Sequence, residues 1–299
     1  MNPEQTPPRP ILFGEVLFDC FPDGSEVLGG APFNVAWHLR GFGENPLFIS
    51  RVGDDDAGRQ VRLAMTAWGM DGAGLQIDPS HPTGAVRIEL VDGEPRFEIL
   101  ADQAYDFIYL ADVPELAHPA FLYHGSLALR RLESRTTLET LARHFDRPVF
   151  LDVNLRPPWW AAADVLLWTG QADWVKLNQN ELDLLAPGQG DLLTRARQFL
   201  AQYGLEQLIL TRGEEGATVL TASGESESVK PSAATQVVDT VGAGDAFTSV
   251  FLLGQLRGWP LATTLGRAQE FASAIVGVRG ATVSDRAFYQ HFLDAWNAG

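Results

Sequence analysis

The sequence predicts an α/β protein built on a mostly parallel sheet with crossover helices. Buried, β-rich runs alternate with amphipathic helical patterns through most of the chain. One pair of segments breaks this rule: residues 84–90 and 95–100 alternate apolar and polar side chains. Period-two alternation implies one wet face, so this pair predicts a small antiparallel sheet projecting from the main body.

In chain order, the tail to about Arg9 holds three prolines and few apolar groups and is expected to fray. "ILF" (11–13) reads as a short buried strand ending at Gly14-Glu15. Pro32 suits a first helical turn and opens a helix running to Phe42. "PLFIS" (46–50) is a second strand, and 57–68 a second helix capped by Asp55 or Asp56. "VDGE" (91–94) is the hairpin turn between the two alternating segments. Strands follow at 121–124, 148–152, 173–177 and 207–211, with helices at 136–145, 180–186, 192–202, 243–256 and 261–278. In 192–202, Leu192, Leu193, Ala196, Phe199 and Leu200 share one face.

A chain of 299 residues, 45% hydrophobic, is long enough to bury a large core, as one large α/β domain or two smaller ones. Its formal net charge is −16, which repels phosphate backbones; nucleic acid and anionic membranes are therefore not expected partners. An anionic ligand would need local help from main-chain N–H groups, a metal, or a single Arg or Lys. Cys20 is the only cysteine, which excludes an intrachain disulfide and a cysteine-cluster zinc site. The polar, proline-rich N-terminus lacks a signal-peptide core, and no apolar run reaches the roughly 20 residues of a membrane span. A cytoplasmic location is expected.

Open α/β sheets bind ligands beyond the C-terminal ends of their strands. Glu15 and Asp19, Gly125-Ser126, Asp152 and Asn154, Asn178, and Thr211-Arg212-Gly213 all fall there. "DTVGAGDAF" (239–247) puts Gly242, Ala243 and Gly244 at the start of a helix, where N–H groups lack partners and the dipole favours anions. An ordinary tight loop gives the same spacing. Asp245 tips the balance, because an acid beside a phosphate cradle repels phosphate and makes sense as acceptor of a hydroxyl proton. No G-x-x-x-x-G-K-[ST] motif is present, and Phe247 occupies the last glycine position of a dinucleotide fingerprint.

"LGGAPFNVA" (28–36) offers Gly29 and Gly30 for close backbone approach and Asn34 as donor and acceptor, which suits a sugar; a turn with a solvated Asn34 is the plainer reading. "NQNE" sets Asn178 three residues before Glu181, a capping-box variant that can also serve a hydrated Mg²⁺. In "DVNLRPPWW" (152–160), Arg156 either bridges to Asp152 or reaches substrate, while Trp159 and Trp160 pack. "TRGEEGATVL" from Thr211 puts Gly213 and Gly216 around a turn that suits a hairpin as well as a nucleotide.

Together, "LGGAPFNVA" and "DTVGAGDAF" resemble the N- and C-terminal signatures of the ribokinase-like sugar kinases, the PfkB family. The likeness runs from "GEVLFD" to "RGATVS", and "GEVLFD", "GSLALR" and "DVNLR" are most similar to fructokinases. It implies one α/β/α three-layer domain over 1–299, with a β lid from about 16–31 and 83–104. It also implies an ATP- and Mg²⁺-dependent kinase acting on a primary hydroxyl of fructose or a close ketose. By this resemblance Asp245 is the base, and Gly242, Ala243 and Gly244 form the anion hole. Asp19, Gly30, Asn34 and Arg156 hold the sugar. Asn178 and Glu181 serve the magnesium–phosphate region, partly through water, and Thr211, Gly213, Gly216 and Ser273 lie near the nucleotide. Val241 departs from a commoner Thr, and Ser273 from an Asn near the adenine. Some relatives bind a monovalent cation such as K⁺ near Asp239; this sequence leaves that open. It also leaves open monomer or lid-paired homodimer, since an exposed hairpin edge permits pairing. Two other readings stand beside the fructokinase one. A 2-keto-3-deoxygluconate kinase would use Arg156 for a carboxylate, and a sugar sensor would need neither Asp245 nor the glycine loop.

Overall fold

The computed structural model describes residues 8–91, 94–116, 118–231 and 237–298. It opens with β1 (Arg9–Phe13), β2 (Leu17–Cys20), β3 (Glu26–Gly29), α1 (Ala31–Gly41), β4 (Leu47–Gly53), α2 (Asp56–Trp68) and β5 (Leu75–Asp78). The central part holds β6 (Gly84–Val91), β7 (Glu94–Ile99), β8 (Pro119–His124), α3 (Leu132–Arg143), β9 (Val149–Asp152), α4 (Ala162–Thr169), β10 (Trp174–Asn178) and α5 (Gln179–Leu185). It ends with α6 (Leu192–Tyr203), β11 (Gln207–Thr211), β12 (Ala217–Thr221), β13 (Ser226–Val229), α7 (Ala243–Arg257), α8 (Leu261–Val276) and α9 (Arg286–Ala298).

Nine strands form the main sheet in the order β13-β12-β11-β10-β9-β8-β1-β4-β5. Every pairing from β11 to β5 is parallel, and only β12 runs the other way, antiparallel to both β11 and β13. Strand order reverses between β1 and β8, which opens a crevice there. Successive strand residues serve opposite faces. Leu12, Tyr123 and Phe150 pack under α1, α7 and α8, whereas Ile11, Phe13, Leu122 and Leu151 pack with α3 to α6. These two apolar layers explain why the parallel strands read as continuous hydrophobic runs.

The second sheet has the order β3-β2-β6-β7. Val86 and Ile88 point inward from β6, while Arg87 stands outward and pairs with Glu98 across the hairpin at 2.8 Å. The expected alternation is therefore present, although turn residues Asp92 and Gly93 lie outside the described residues. Its strands lie within the bounds read from the resemblance; Ala31 already belongs to α1, and Ala104 opens a short 3₁₀ turn.

Two expectations need correction. Residues 1–7 lie outside the described residues, but Arg9 is held in β1, with its guanidinium 2.7 Å from Asp71 and bonded to the Asn45 carbonyl. Helix α3 starts at Leu132, four residues before the expected 136; no side chain caps its N-terminus, so the sequence carries no local mark of the start. Of the two readings of the turn after Thr211, the hairpin is present, joining β11 to β12. Among the described residues no helix is long and apolar enough to cross a membrane.

Candidate active site

A cleft of about 820 Å³ lies over the C-terminal ends of the parallel strands, with the small sheet along one side. Helix α7 points its N-terminus into it. The helix begins there because Gly242 takes a left-handed turn (φ 78°) against Ala281; a Cβ at 242 would sit 2.5 Å from the Ala281 Cα. The Ala246 N–H closes the first helical bond to the Gly242 carbonyl at 2.8 Å. The N–H groups of Gly244 and Asp245 belong to the first turn and have no intrahelical acceptor. That of Ala243 makes a long 3.4 Å contact with the Thr240 carbonyl, so it is less free than the resemblance implied.

Asp245 lines the cleft, and its Oδ2 accepts a 2.8 Å hydrogen bond from Asn34 Nδ2 across 211 residues of sequence. Asn34 is 4% exposed, so the solvated reading does not hold, and its Oδ1 is buried without a partner among the described residues. Burial raises the Asp245 carboxyl to about 6, with the Asn34 bond and the Lys176 charge pulling the other way.

Beneath the glycine loop sits a buried ion pair that the motifs did not reveal. Lys176 Nζ donates to Asp152 Oδ2 at 2.7 Å and lies 3.6 Å from where a Cβ on Gly244 would be. Tyr123 and Thr248 donate to the same oxygen at 3.3 Å. Burial works against the lysine charge, yet Asp152 holds the ammonium above its ordinary value. Asp152 therefore takes Lys176 as its ion-pair partner, and of the two readings of Arg156 the bridge to Asp152 is not formed. Arg156 lines the cleft, exposed, and makes no ion pair among the described residues. Trp159 and Trp160 pack, as expected; Trp159 Nε1 donates to the Ile99 carbonyl.

Asn178 and Glu181 form a reciprocal capping box on α5. Asn178 Oδ1 accepts from the Glu181 N–H at 2.9 Å and Glu181 Oε2 from the Asn178 N–H at 2.8 Å. Glu181 Oε1 takes the Leu155 N–H at 2.8 Å. Burial raises the Glu181 carboxyl, with these N–H bonds opposing. Both residues line the cleft, but among the described residues no group of three or more His, Cys, Asp or Glu is placed to hold a metal. This donor set fits a hydrated Mg²⁺ that draws most of its ligands from phosphate and water.

Asp19, Gly30 and Thr211 also line the cleft, while Gly213 and Gly216 lie beyond it in the β11–β12 turn. Asp19 is raised by burial, with Arg156 opposing. Ser273 is elsewhere, on α8, lining a separate hollow of about 310 Å³ with Lys230 and Gln269. Asp239 ties the glycine loop down, its two carboxylate oxygens accepting from the Val241 and Gly280 N–H groups.

Comparison with known proteins adds to this geometry. The sequence profile of the pfkB family of carbohydrate kinases matches residues 20–287. The fructokinase of Salmonella typhimurium is 31% identical over 291 residues, covering 90% of this chain and 94% of that protein. The crystal structure of Vibrio cholerae O395 fructokinase in its fructose-, ADP- and calcium-bound form superposes with TM-score 0.82 at 28% identity, covering 96% of this chain and 99% of the other. The aminoimidazole riboside kinase of Salmonella enterica, solved with aminoimidazole riboside and an ATP analogue, superposes with TM-score 0.81 at 26% identity, covering 95% and 99%. These likenesses put the chain in the ribokinase-like fold.

Proposed function

This chain belongs to the pfkB family of carbohydrate kinases, and from that premise we propose that it transfers the γ-phosphoryl group of ATP to a primary hydroxyl of fructose. One observation carries the mechanism: the Asp245 carboxylate stands in the first turn of α7, beside open N–H groups, in the same cleft as Asn34. Asn34 holds the carboxylate in place through Oδ2. The acceptor hydroxyl approaches the other oxygen. As its oxygen bonds to the γ-phosphorus, the bond to ADP breaks and the proton passes to Asp245. With a pKa of about 6, Asp245 is mostly ionised at pH 7 and ready to accept. The N–H groups of Gly242 and Gly244, and that of Ala243 once released from Thr240, meet the oxygens of the transferring group. Lys176, close under Gly244, adds positive charge to this end of the cleft.

Asn178 and Glu181 would hold a hydrated Mg²⁺, which would neutralise phosphate charge there. Thr211 faces the nucleotide end of the cleft, and Asp19 and Gly30 the sugar end. The small sheet acts as a lid that excludes water, which otherwise competes for the phosphoryl group.

The choice of fructose rests on the fructokinase relatives. A second acceptor is favoured by one observation: Arg156 faces the cleft without an ion-pair partner among the described residues, which suits an acidic sugar such as 2-keto-3-deoxygluconate. The test is ADP release with ATP and Mg²⁺ across fructose, ribose, 2-keto-3-deoxygluconate and aminoimidazole riboside. Fructose is expected to give the highest kcat/KM; no turnover of fructose defeats the assignment.

A further inference from the structure

Glu15 follows β1 at the point where strand order reverses, and nothing assigned so far uses its carboxyl. It is 3% exposed and lines the cleft with Asp19, Asn34 and Asp245. Its backbone is fixed by the neighbouring chain: a Cβ on Gly30 (φ 111°) would lie 2.6 Å from the Glu15 carbonyl oxygen. Its Oε2 is sealed from solvent and has no hydrogen-bond partner among the described residues. Gly125, just after β8, lies alongside, where a built Cβ would stand 4.0 Å from Oε2, an ordinary van der Waals contact.

A buried carboxyl with one oxygen left without a partner is costly, and a leucine would fill this place more cheaply. A neutral polar ligand that brings its own hydroxyl removes the cost. We propose that Glu15 is a substrate-binding residue, whose carboxyl takes a hydroxyl of the acceptor sugar and selects acceptors that carry one at that position. The proposal rests on the sugar-kinase reading above and adds a residue to its acceptor pocket.

The electrostatics make the role measurable. Burial raises Glu15 to about 7, with Asp245 adding to the rise. Its own N–H, that of Ala31 at the start of α1, and Arg156 from the loop after β9 oppose it. Tyr105, Tyr123 on β8 and Arg130 also feel its charge. A hydroxyl donating to the carboxylate favours the ionised form, so sugar binding at pH 7 should expel part of a proton. Asp245 is the other group able to do so, since it too titrates near neutrality.

The experiment is calorimetry of fructose binding at pH 7 in two buffers of different ionisation enthalpy, on wild type, Glu15→Gln, Glu15→Leu and Asp245→Asn. Wild type and Asp245→Asn should release protons on binding, and Glu15→Gln should release far fewer while still binding. Glu15→Leu should weaken fructose binding by roughly tenfold or more, the worth of a hydrogen bond to a charged group, with KM for ATP unchanged. Fructose binding as tight in Glu15→Leu as in wild type, or wild-type proton release in Glu15→Gln, overturns the proposal. Should Glu15→Leu fail to fold, the isosteric Gln variant decides alone. Wild-type turnover, measured first, keeps the two readings apart. An enzyme that phosphorylates none of the panel defeats the kinase reading; one that phosphorylates fructose while its Glu15 variants bind unchanged defeats only the role of Glu15.

Discussion

Replacing Glu15 by Gln should stabilise the sugar-free protein at pH 8 and do so far less at pH 4.5. The carboxyl moves from its ordinary 4.5 to about 7 in the folded protein, chiefly through burial. Between those values the folded state holds a proton that the unfolded chain has lost. Stability from this group is therefore fully present below pH 4.5, falls as pH rises to 7, and is level above. At 1.36 kcal/mol per pH unit the loss is roughly 3 kcal/mol. Glutamine does not titrate, so the advantage of the variant over wild type should grow by about that amount across the window. For a chain of this length it amounts to about 5 °C in Tm, from an unfolding entropy near 2.1 cal/mol/K per residue. Urea or thermal unfolding of both proteins at pH 4.5, 6 and 8 measures the gap. A gap that is the same at all three pH values refutes the reasoning, since it would mean that the buried carboxyl ionises as freely in the folded protein as in the unfolded chain.

The other perturbations act at the same cleft. Because Asp245 must be ionised to accept a proton and sits near 6 in the sugar-free protein, kcat/KM for the sugar should fall about tenfold per pH unit below pH 6; a profile flat from pH 5 to 8 contradicts this. Lys176→Met leaves Asp152 buried with only the hydroxyls of Tyr123 and Thr248, and should cost about 3–5 kcal/mol in urea unfolding. A cost below 1 kcal/mol counts against the ion pair. Gly242→Ala pushes a methyl into Ala281 at a backbone angle that disfavours side chains, so the anion-binding loop must shift. A loss of about 10²-fold or more in kcat is expected, as for an oxyanion-hole donor, and an unchanged kcat argues that the loop does not touch phosphate.

Much of the architecture was legible because the parallel strands are buried on both faces and carry unbroken apolar runs, as in "FLYH" and "QLILT". Helix α9 escaped notice although Tyr289, Phe292 and Trp296 form a buried stripe at helical spacing. Strands β2, β3 and β13 are only four residues long, and their period is too short to read. Asp245 was visible because glycines announce a helix N-terminus. Its contact with Asn34 was not, because sequence gives no distance between residues 211 positions apart. Lys176 hid inside a strand, and the role of its charge arises only when Asp152 on the next strand is brought alongside. Glu15 was seen as a strand-end polar residue, but the sealed oxygen that makes it unusual is a product of packing. Asn178 and Glu181 gave the clearest local signal, since a capping box is written into three residues of spacing.

The most direct test of the account is the turnover of Asp245→Asn beside its sugar binding. With ATP, Mg²⁺ and saturating fructose, kcat should drop by about 10²–10⁴-fold, the usual contribution of a positioned base, while calorimetric affinity for fructose stays close to wild type. A variant that keeps kcat within tenfold of wild type would show that residue 245 does not take the proton.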